Sequence, residues 1–346
     1  MTAPEDRIDG YDFHLPESAI AQQPAARREA SRLLHLGSTG NRHGSFGDIV
    51  DILKAGDLLV LNDTRVMKAR MMARRATGGQ VELLFCDPVA EGCWTAMVKP
   101  GRKARPGDTL YVADLAIEVL EVRPDGLRVV RPSGPLPESM ERHGILPLPP
   151  YIREQPADPE RYQTVYARET GSIAAPTAGL HLTQELMAGL AAKGIRTATL
   201  TLHVGLGTFL PVKSDDLDQH VMHAERYTVP AETADLLRDT QAAGGRVIAV
   251  GTTTTRTLEA VAAAHGSVVP CTGSTDLFIR PDFPFRVIDG LVTNFHLPRS
   301  TLVVLVSALA GHLGLGGRER VLAAYAEAVA RGYRFFSFGD AMLLLP

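Results

Sequence analysis

Polar residues interrupt the apolar C-terminal half of this chain in a few compact clusters: TAGLHL at 177–182, LHVGLGTFLPV at 202–212, VGTTTTRTLE at 250–259 and VTNFHLPRSTL at 292–302. HVMHAE at 220–225 lies among them, and FFSFGDAML closes the chain. His203 ends an apolar run and is followed by Gly205 and Gly207, where backbone could approach a ligand closely. An imidazole titrating near 6.5 serves there as acid, base or hydrogen-bonding partner. His181 and His296 sit in similar settings, and for all three a hydrogen-bonded structural histidine is the alternative. His220, His223 and Glu225 are residue types that bind zinc, but their spacing departs from HExxH. A solvated loop, a metal-free active site and a metal site all fit that stretch.

VGTTTTRTLE reads as a strand passing through hydroxyl side chains into a helix, whose first N–H groups favour a carboxylate or phosphate. The alternative is that Thr252 or Thr253 caps the helix and Arg256 pairs with Glu259 on the surface. Positive charge collects in RVMKARMMARR (Arg65, Lys68, Arg70, Arg74, Arg75) and in KPGRKAR (Lys99, Arg102, Lys103, Arg105), with no acid in either run. Phosphate contact and a solvated strand face both account for such runs. Neither a dinucleotide loop nor a Walker loop occurs, so no nucleotide cofactor is expected.

The elements that must position these residues divide in character. Across 65–131, short runs such as VELLF, WTAMV, DTLYV, AIEVLEV and LRVVR alternate with TGG, PG and PDG turns, the pattern of a small antiparallel barrel or sandwich. Elsewhere, helix-like stretches (TQELMAGLAAKG, AETADLLRDTQAAGG, TTRTLEAVAAAHG, RERVLAAYAEAVARG) alternate with RTATLTLHV, RVIAV and RVIDGLVTNF, which suit buried, largely parallel strands. Thr183 and Pro230 supply helix starts and glycines supply stops. GDLLVLND adds a buried strand, and GILPLPPYI a stiff connector. The expectation is an α/β fold: a discontinuous layered domain over 1–62 and 150–346, with a β-barrel inserted at 63–149. Polar clusters then fall where strands end and helices begin, where such sheets bind ligands.

With 346 residues, 45% hydrophobic and 22% charged, the chain suits a two-domain globular protein. A net charge of -3 gives no global attraction to nucleic acid, so any RNA contact must be local. Cys86, Cys93 and Cys271 form neither a zinc knuckle nor a redox pair, which fits a reducing cytoplasm. Glu5, Asp6 and Asp9 precede any apolar run, unlike a signal peptide, and the apolar run at 301–310 is far shorter than the roughly 20 residues of a membrane helix. An α/β enzyme, an RNA-binding module built on the barrel and a metal-dependent hydrolase using HVMHAE are the classes in play.

Taken in order, the motifs resemble the S-adenosylmethionine:tRNA ribosyltransferase-isomerase family over essentially the whole chain. The resemblance runs from YDFHLPESAIAQQPAARREASRLL and LLVLNDTRVMKAR through ILPLPPYI, ERYQTVYA, AAPTAGLHL, LHVGLGTFLPV, HVMHAE, GGRVIAVGTTTTRTLE, TDLFI and VTNFHLPRSTL to YRFFSFGDAML. Leu182 stands where the family usually has Phe, and Thr254 and Thr255 where it has Ser and Val. The resemblance implies an α/β domain with a β-barrel insert. It also implies transfer and isomerisation of the ribosyl part of S-adenosylmethionine onto 7-aminomethyl-7-deazaguanine at the wobble position of tRNA, a step of queuosine biosynthesis. Epoxyqueuosine, adenine and methionine are the products, and S-adenosylmethionine is a consumed substrate, with no cofactor and no metal.

For that chemistry a base must take a C5′ proton made acidic by the neighbouring sulfonium, and an acid must assist adenine departure. The candidates for proton transfer are His203, His223 and Glu225, followed by His181, His296 and Asp340. Thr252, Thr253, Arg256, Asp276, Asn294 and Phe295 are candidates to hold the substrate. Arg65, Lys68, Arg70, Lys99, Arg102, Lys103 and Arg105 are candidates to contact tRNA.

Overall fold

A computed structural model describes residues 3–90, 92–209 and 214–346. The end of LHVGLGTFLPV, residues 210–212, lies outside them. The hairpin β1 (Arg32–Gly37) and β2 (Gly40–Ser45) leads through the single-turn α1 (Ile49–Ile52) to β3 (Leu58–Asn62) and the short β4 (Thr64–Val66). The chain then forms β5 (Arg70–Arg75), β6 (Gln80–Pro88), β7 (Trp94–Lys99), β8 (Thr109–Val112), β9 (Leu115–Val122) and β10 (Arg128–Pro132), followed by α2 (Leu136–His143). These six strands close an antiparallel barrel in the order β10-β7-β6-β5-β8-β9. Alternation fills it: on β5, Met71 and Ala73 point inward while Met72 and Arg74 face water.

The return path runs through β11 (Glu169–Ser172), which pairs in parallel with β4 as a two-stranded ribbon beside the barrel. Next come α3 (Gln184–Ala192), β12 (Arg196–Leu202), β13 (Glu225–Val229), α4 (Ala231–Ala242), β14 (Val247–Val250), α5 (Thr252–His265), β15 (Cys271–Thr275), β16 (Gly290–Asn294), α6 (Thr301–His312), α7 (Gly317–Ala330) and β17 (Ala341–Leu344). They build a nine-stranded sheet, β15-β13-β12-β3-β14-β16-β17-β1-β2. Its centre, β12-β3-β14-β16, is parallel.

The central runs LLVLN, VIAV and GLVTN are buried at every position because helices cover both faces. The edge strands β2 and β15 alternate buried-side and exposed residues instead. Thr183 caps α3 by accepting from the Leu186 amide at 3.1 Å, and Pro230 opens α4. Gly266, at φ +81°, ends α5 in the left-handed conformation a side chain would resist. Leu146, Leu148 and Ile152 of the proline-rich connector are buried against Val66, Tyr162 and Phe338. Among the described residues no single helix is long and apolar enough to cross a membrane.

Candidate functional site

The parallel strands β3, β12, β14 and β16 deliver their carboxyl ends to one edge of the sheet. Asn62 ties that edge together. Its Oδ1 accepts from the Leu202 and Thr64 amides at 3.0 and 3.2 Å, while Nδ2 donates to the Leu202 carbonyl at 3.0 Å and to Thr253 Oγ1 at 3.2 Å. Beside it the buried Asp63 accepts from Thr201 Oγ1 at 2.7 Å and from the Arg168 guanidinium at 2.8 Å.

His203 follows directly on β12. Its amide donates to the Arg226 carbonyl at 2.9 Å, and its Nδ1 lies 2.9 Å from Thr64 Oγ1. The imidazole rests over Gly171, where an added Cβ would come within 2.7 Å of Cε1. Among the described residues nothing engages Nε2. Burial, with the Arg226 charge nearby, lowers the His203 pKa below the ordinary imidazole value, so the ring is neutral at pH 7. Arg226 also meets Asp87 of the barrel at 3.3 Å, so His203 lies where sheet and barrel face each other.

At the start of α5 the structure removes the reading in which Thr252 or Thr253 caps the helix. The N-cap is Gly251, at φ +93°, and no side chain caps the helix. Thr254 and Thr255 bond back to the Val250 and Gly251 carbonyls at 2.8 and 3.3 Å, so these departures from the family pattern sit inward. The Thr252 and Thr253 amides are left without a partner among the described residues. Arg256 does not pair with Glu259 on the surface, because both residues are buried. Its Nη1 meets Glu225 Oε2 at 2.5 Å, and its Nε donates to the Leu277 carbonyl at 2.9 Å. Glu259 accepts from the amides of Arg286, Val287 and Ile288 at 2.8 to 3.1 Å.

Glu225 thus has both oxygens engaged, since Oε1 accepts from the Gly205 amide at 3.0 Å. His223 is exposed, with its Cβ over Gly207. His220 packs edge-on against Phe278. The three residues of HVMHAE that resembled a metal set do not converge, and no three such side chains converge among the described residues.

The turn Thr177–His181 runs along the same edge, with Ala178 against Gly251 and Thr177 Oγ1 donating to Asn294 Oδ1 at 3.1 Å. His181 is stacked on Phe46; its Nδ1 lies 2.6 Å from Ser31 Oγ and its Nε2 3.3 Å from Asn294 Nδ2. Burial pushes its pKa down to about 4. A small cleft beside it is lined by Arg28, Ser31, Arg161, Ser337 and Phe338 among others.

Other candidates lie apart from these groups. His296, its pKa pushed by burial to about 3, sits between Thr293 and Tyr325 in the core. Phe295 is fully buried among Tyr325, Tyr333 and Phe335. Asp340 accepts from the Arg32 and Arg334 amides at 2.9 and 2.8 Å and from the Arg32 guanidinium at 3.0 Å. Asp276 is exposed.

The two basic runs differ. Arg65 pairs with Glu160 at 2.7 Å, Lys68 with Glu141 at 2.6 Å, and Arg70 and Arg75 lie near Glu82 and Asp108 at 3.9 and 3.8 Å. Lys99, Arg102, Lys103 and Arg105 surround the turn Gly101–Lys103, and their side chains form no salt bridge among the described residues, while the Arg105 amide donates to Asp108 at 2.8 Å. Arg128 holds that turn from behind, donating to the Gly101 and Ala104 carbonyls at 2.6 and 3.3 Å.

Residues 8–344 match the family described as Queuosine biosynthesis protein. The chain is 52% identical to the S-adenosylmethionine:tRNA ribosyltransferase-isomerase of Anaeromyxobacter dehalogenans, covering 98% of this chain and 99% of the relative. It is 49% identical to the enzyme of that name from Staphylococcus haemolyticus, with 98% and 99% covered. A crystal structure of the S-adenosylmethionine tRNA ribosyltransferase from Thermotoga maritima is similar with a TM-score of 0.57 and 40% identity, covering 97% of this chain and 99% of that one. The chain belongs to the S-adenosylmethionine:tRNA ribosyltransferase-isomerase family.

It is accordingly a transferase, and the expected α/β fold with a barrel insert holds. Several residues at the shared edge were not singled out in the sequence. Asn62, Asp63 and Thr64 stand directly after the apolar run of β3, so the strand-end rule that selected His203 also points to them. Ser31 and Gly171 carried no comparable signal, because their importance lies in what they touch across the fold.

Proposed function

We propose that this protein consumes S-adenosylmethionine, transferring and isomerising its ribosyl part onto 7-aminomethyl-7-deazaguanine at the wobble position of tRNA. Epoxyqueuosine-tRNA, adenine and methionine leave, with no cofactor or metal, in the cytoplasm. What carries this is the family match over residues 8–344 together with a neutral imidazole, His203, at the strand edge where the sheet faces the barrel. A neutral imidazole with an unengaged Nε2 can take the C5′ proton that the sulfonium acidifies. The unpartnered Thr252 and Thr253 amides, at the positive end of α5, suit the methionyl carboxylate.

The other candidates take roles their surroundings permit. His223, exposed near Gly207, is placed to exchange protons with solvent or leaving group. Glu225 holds Arg256 and the Gly205 backbone, which shapes the edge without freeing a carboxylate. His181 lines the cleft, where an adenine edge could be read, and Asn294 holds its ring from the side of Nε2. His296, Phe295 and Asp340 support these groups from the core. The exposed Asp276 is the weakest candidate of the set.

The protein, S-adenosylmethionine and tRNA bearing the aminomethyl base, followed by mass spectrometry of the nucleosides, test this directly. Epoxyqueuosine with release of adenine and methionine is expected. Methyl transfer, with S-adenosylhomocysteine as product, would overturn it. His203→Ala is expected to lower turnover by about 10²- to 10⁴-fold with tRNA affinity preserved.

A further inference from the structure

His203 is held by a ribbon that belongs to neither the main sheet nor the barrel. Thr64, on β4, places its hydroxyl 2.9 Å from Nδ1, and the same hydroxyl donates toward the Glu169 carbonyl on β11 at 3.4 Å. Gly171, two residues further along β11, supports the face of the ring. Thr64 is fully buried, and its own amide is fixed to Asn62 Oδ1 at 3.2 Å, so the hydroxyl has little freedom to leave this position.

A hydroxyl carries one proton and can donate it once. With that proton directed at Glu169, Thr64 Oγ1 turns a lone pair toward the ring, and Nδ1 must carry the imidazole hydrogen to complete the contact. The neutral ring then has its lone pair on Nε2. We propose that Thr64 is a positioning residue for the ribosyl transfer, holding His203 as the Nδ1–H tautomer so that Nε2 accepts the substrate proton. This rests on His203 being the base, as argued above. No covalent step is added, because the same proton leaves the same substrate carbon and arrives on Nε2.

The tautomer can be read without substrate. Long-range ¹H–¹⁵N NMR of the ring distinguishes a pyrrole-type from a pyridine-type nitrogen, with His203→Gln identifying the signals. Wild type and Thr64→Ser are expected to show protonated Nδ1 and bare Nε2. Thr64→Val, nearly isosteric but lacking the hydroxyl, is expected to move the hydrogen toward Nε2. With the modified tRNA, Thr64→Val is expected to lower kcat by about 10²-fold, the low end of what a positioned acid or base contributes. KM should change far less, and Thr64→Ser should restore most of the rate.

A protonated Nε2 in the wild-type protein would overturn the proposal, as would a folded Thr64→Val protein with unchanged tautomer and kcat. A shifted tautomer with undiminished kcat would overturn the positioning role. If His203→Ala also turns over normally, the failure lies with His203 as base; if only Thr64→Val does, it lies with Thr64.

Discussion

At the scale of single residues, the site depends on contacts too close to tolerate an extra carbon. A methyl group on Gly171 would stand 2.7 to 3.0 Å from three atoms of the His203 ring, so Gly171→Ala must displace either the ribbon or the imidazole. Turnover is expected to fall nearly as far as in His203→Ala, while circular dichroism and tRNA binding stay close to wild type. Normal turnover in the Gly171→Ala protein would show that the ring need not sit where it does. Gly179 is similar in kind: a Cβ there would meet the Tyr166 hydroxyl at 2.0 Å, leaving the TAGLH turn flush against that ring. Such glycines act through what they omit, and their neighbours in space are far away in sequence.

At the scale of elements, the first turns of α5 are locked by a buried ion pair rather than by a side-chain N-cap. Removing one partner leaves an uncompensated charge in a site where both side chains are nearly inaccessible, so Glu225→Ala is expected to cost about 3 to 5 kcal/mol. Chemical denaturation should show that loss, and Glu225→Ala with Arg256→Met should recover much of it; a single variant as stable as wild type would remove the lock. The strands that carry the site were legible because two buried faces leave an uninterrupted apolar run, as in VIAV and LLVLN. The barrel was legible from short β-rich runs such as VELLF and AIEVLEV separated by turn signals, and helix stops from glycines such as Gly266. The partner of Arg256 was not. Sequence offered Glu259, one helical turn away, whereas the fold brings Glu225 from β13 across the sheet edge and gives Glu259 to the amides of 286–288. The acids opposite RVMKARMMARR were hidden for the same reason, since Glu141 and Glu160 come from the other side of the insert.

At the scale of the whole molecule, two consequences follow from where charge is buried and where it is left open. His181 and His296 are neutral in the native protein, with pKa values of about 4 and about 3, whereas the unfolded chain takes up these protons near 6.5. Their contribution is therefore complete above pH 6.5 and is lost as pH falls toward 4 and 3, on the order of 3 kcal/mol for His181 and 5 kcal/mol for His296. Thermal unfolding of His296→Gln should show a shallower loss of stability in acid than wild type; an identical slope would mean that the ring protonates without unfolding. The open charge lies on the barrel. Arg65, Lys68 and Arg70 have carboxylates within 4 Å of their charged ends, so neutralising a phosphate would first require breaking those contacts, while Lys99, Arg102, Lys103 and Arg105 form no salt bridge among the described residues, with Glu82 opposite Lys99 on the neighbouring strand and Asp108 engaged by the Arg105 amide. Arg128 donates to the Gly101 and Ala104 carbonyls of their turn, which fixes the loop without neutralising its charge. Replacing these four by alanine is expected to weaken tRNA binding and flatten its salt dependence, each lost contact changing the log–log slope by about 0.9 on duplex or about 0.7 on single strand. S-adenosylmethionine affinity should hold, because the α5 start and His203 lie on the sheet edge. The corresponding change at Arg65, Lys68 and Arg70 should alter the slope less, since those cations already release few counterions. A salt titration of both variants against wild type separates the surfaces: equal slopes in wild type and the KPGRKAR variant would place the tRNA backbone elsewhere on the molecule.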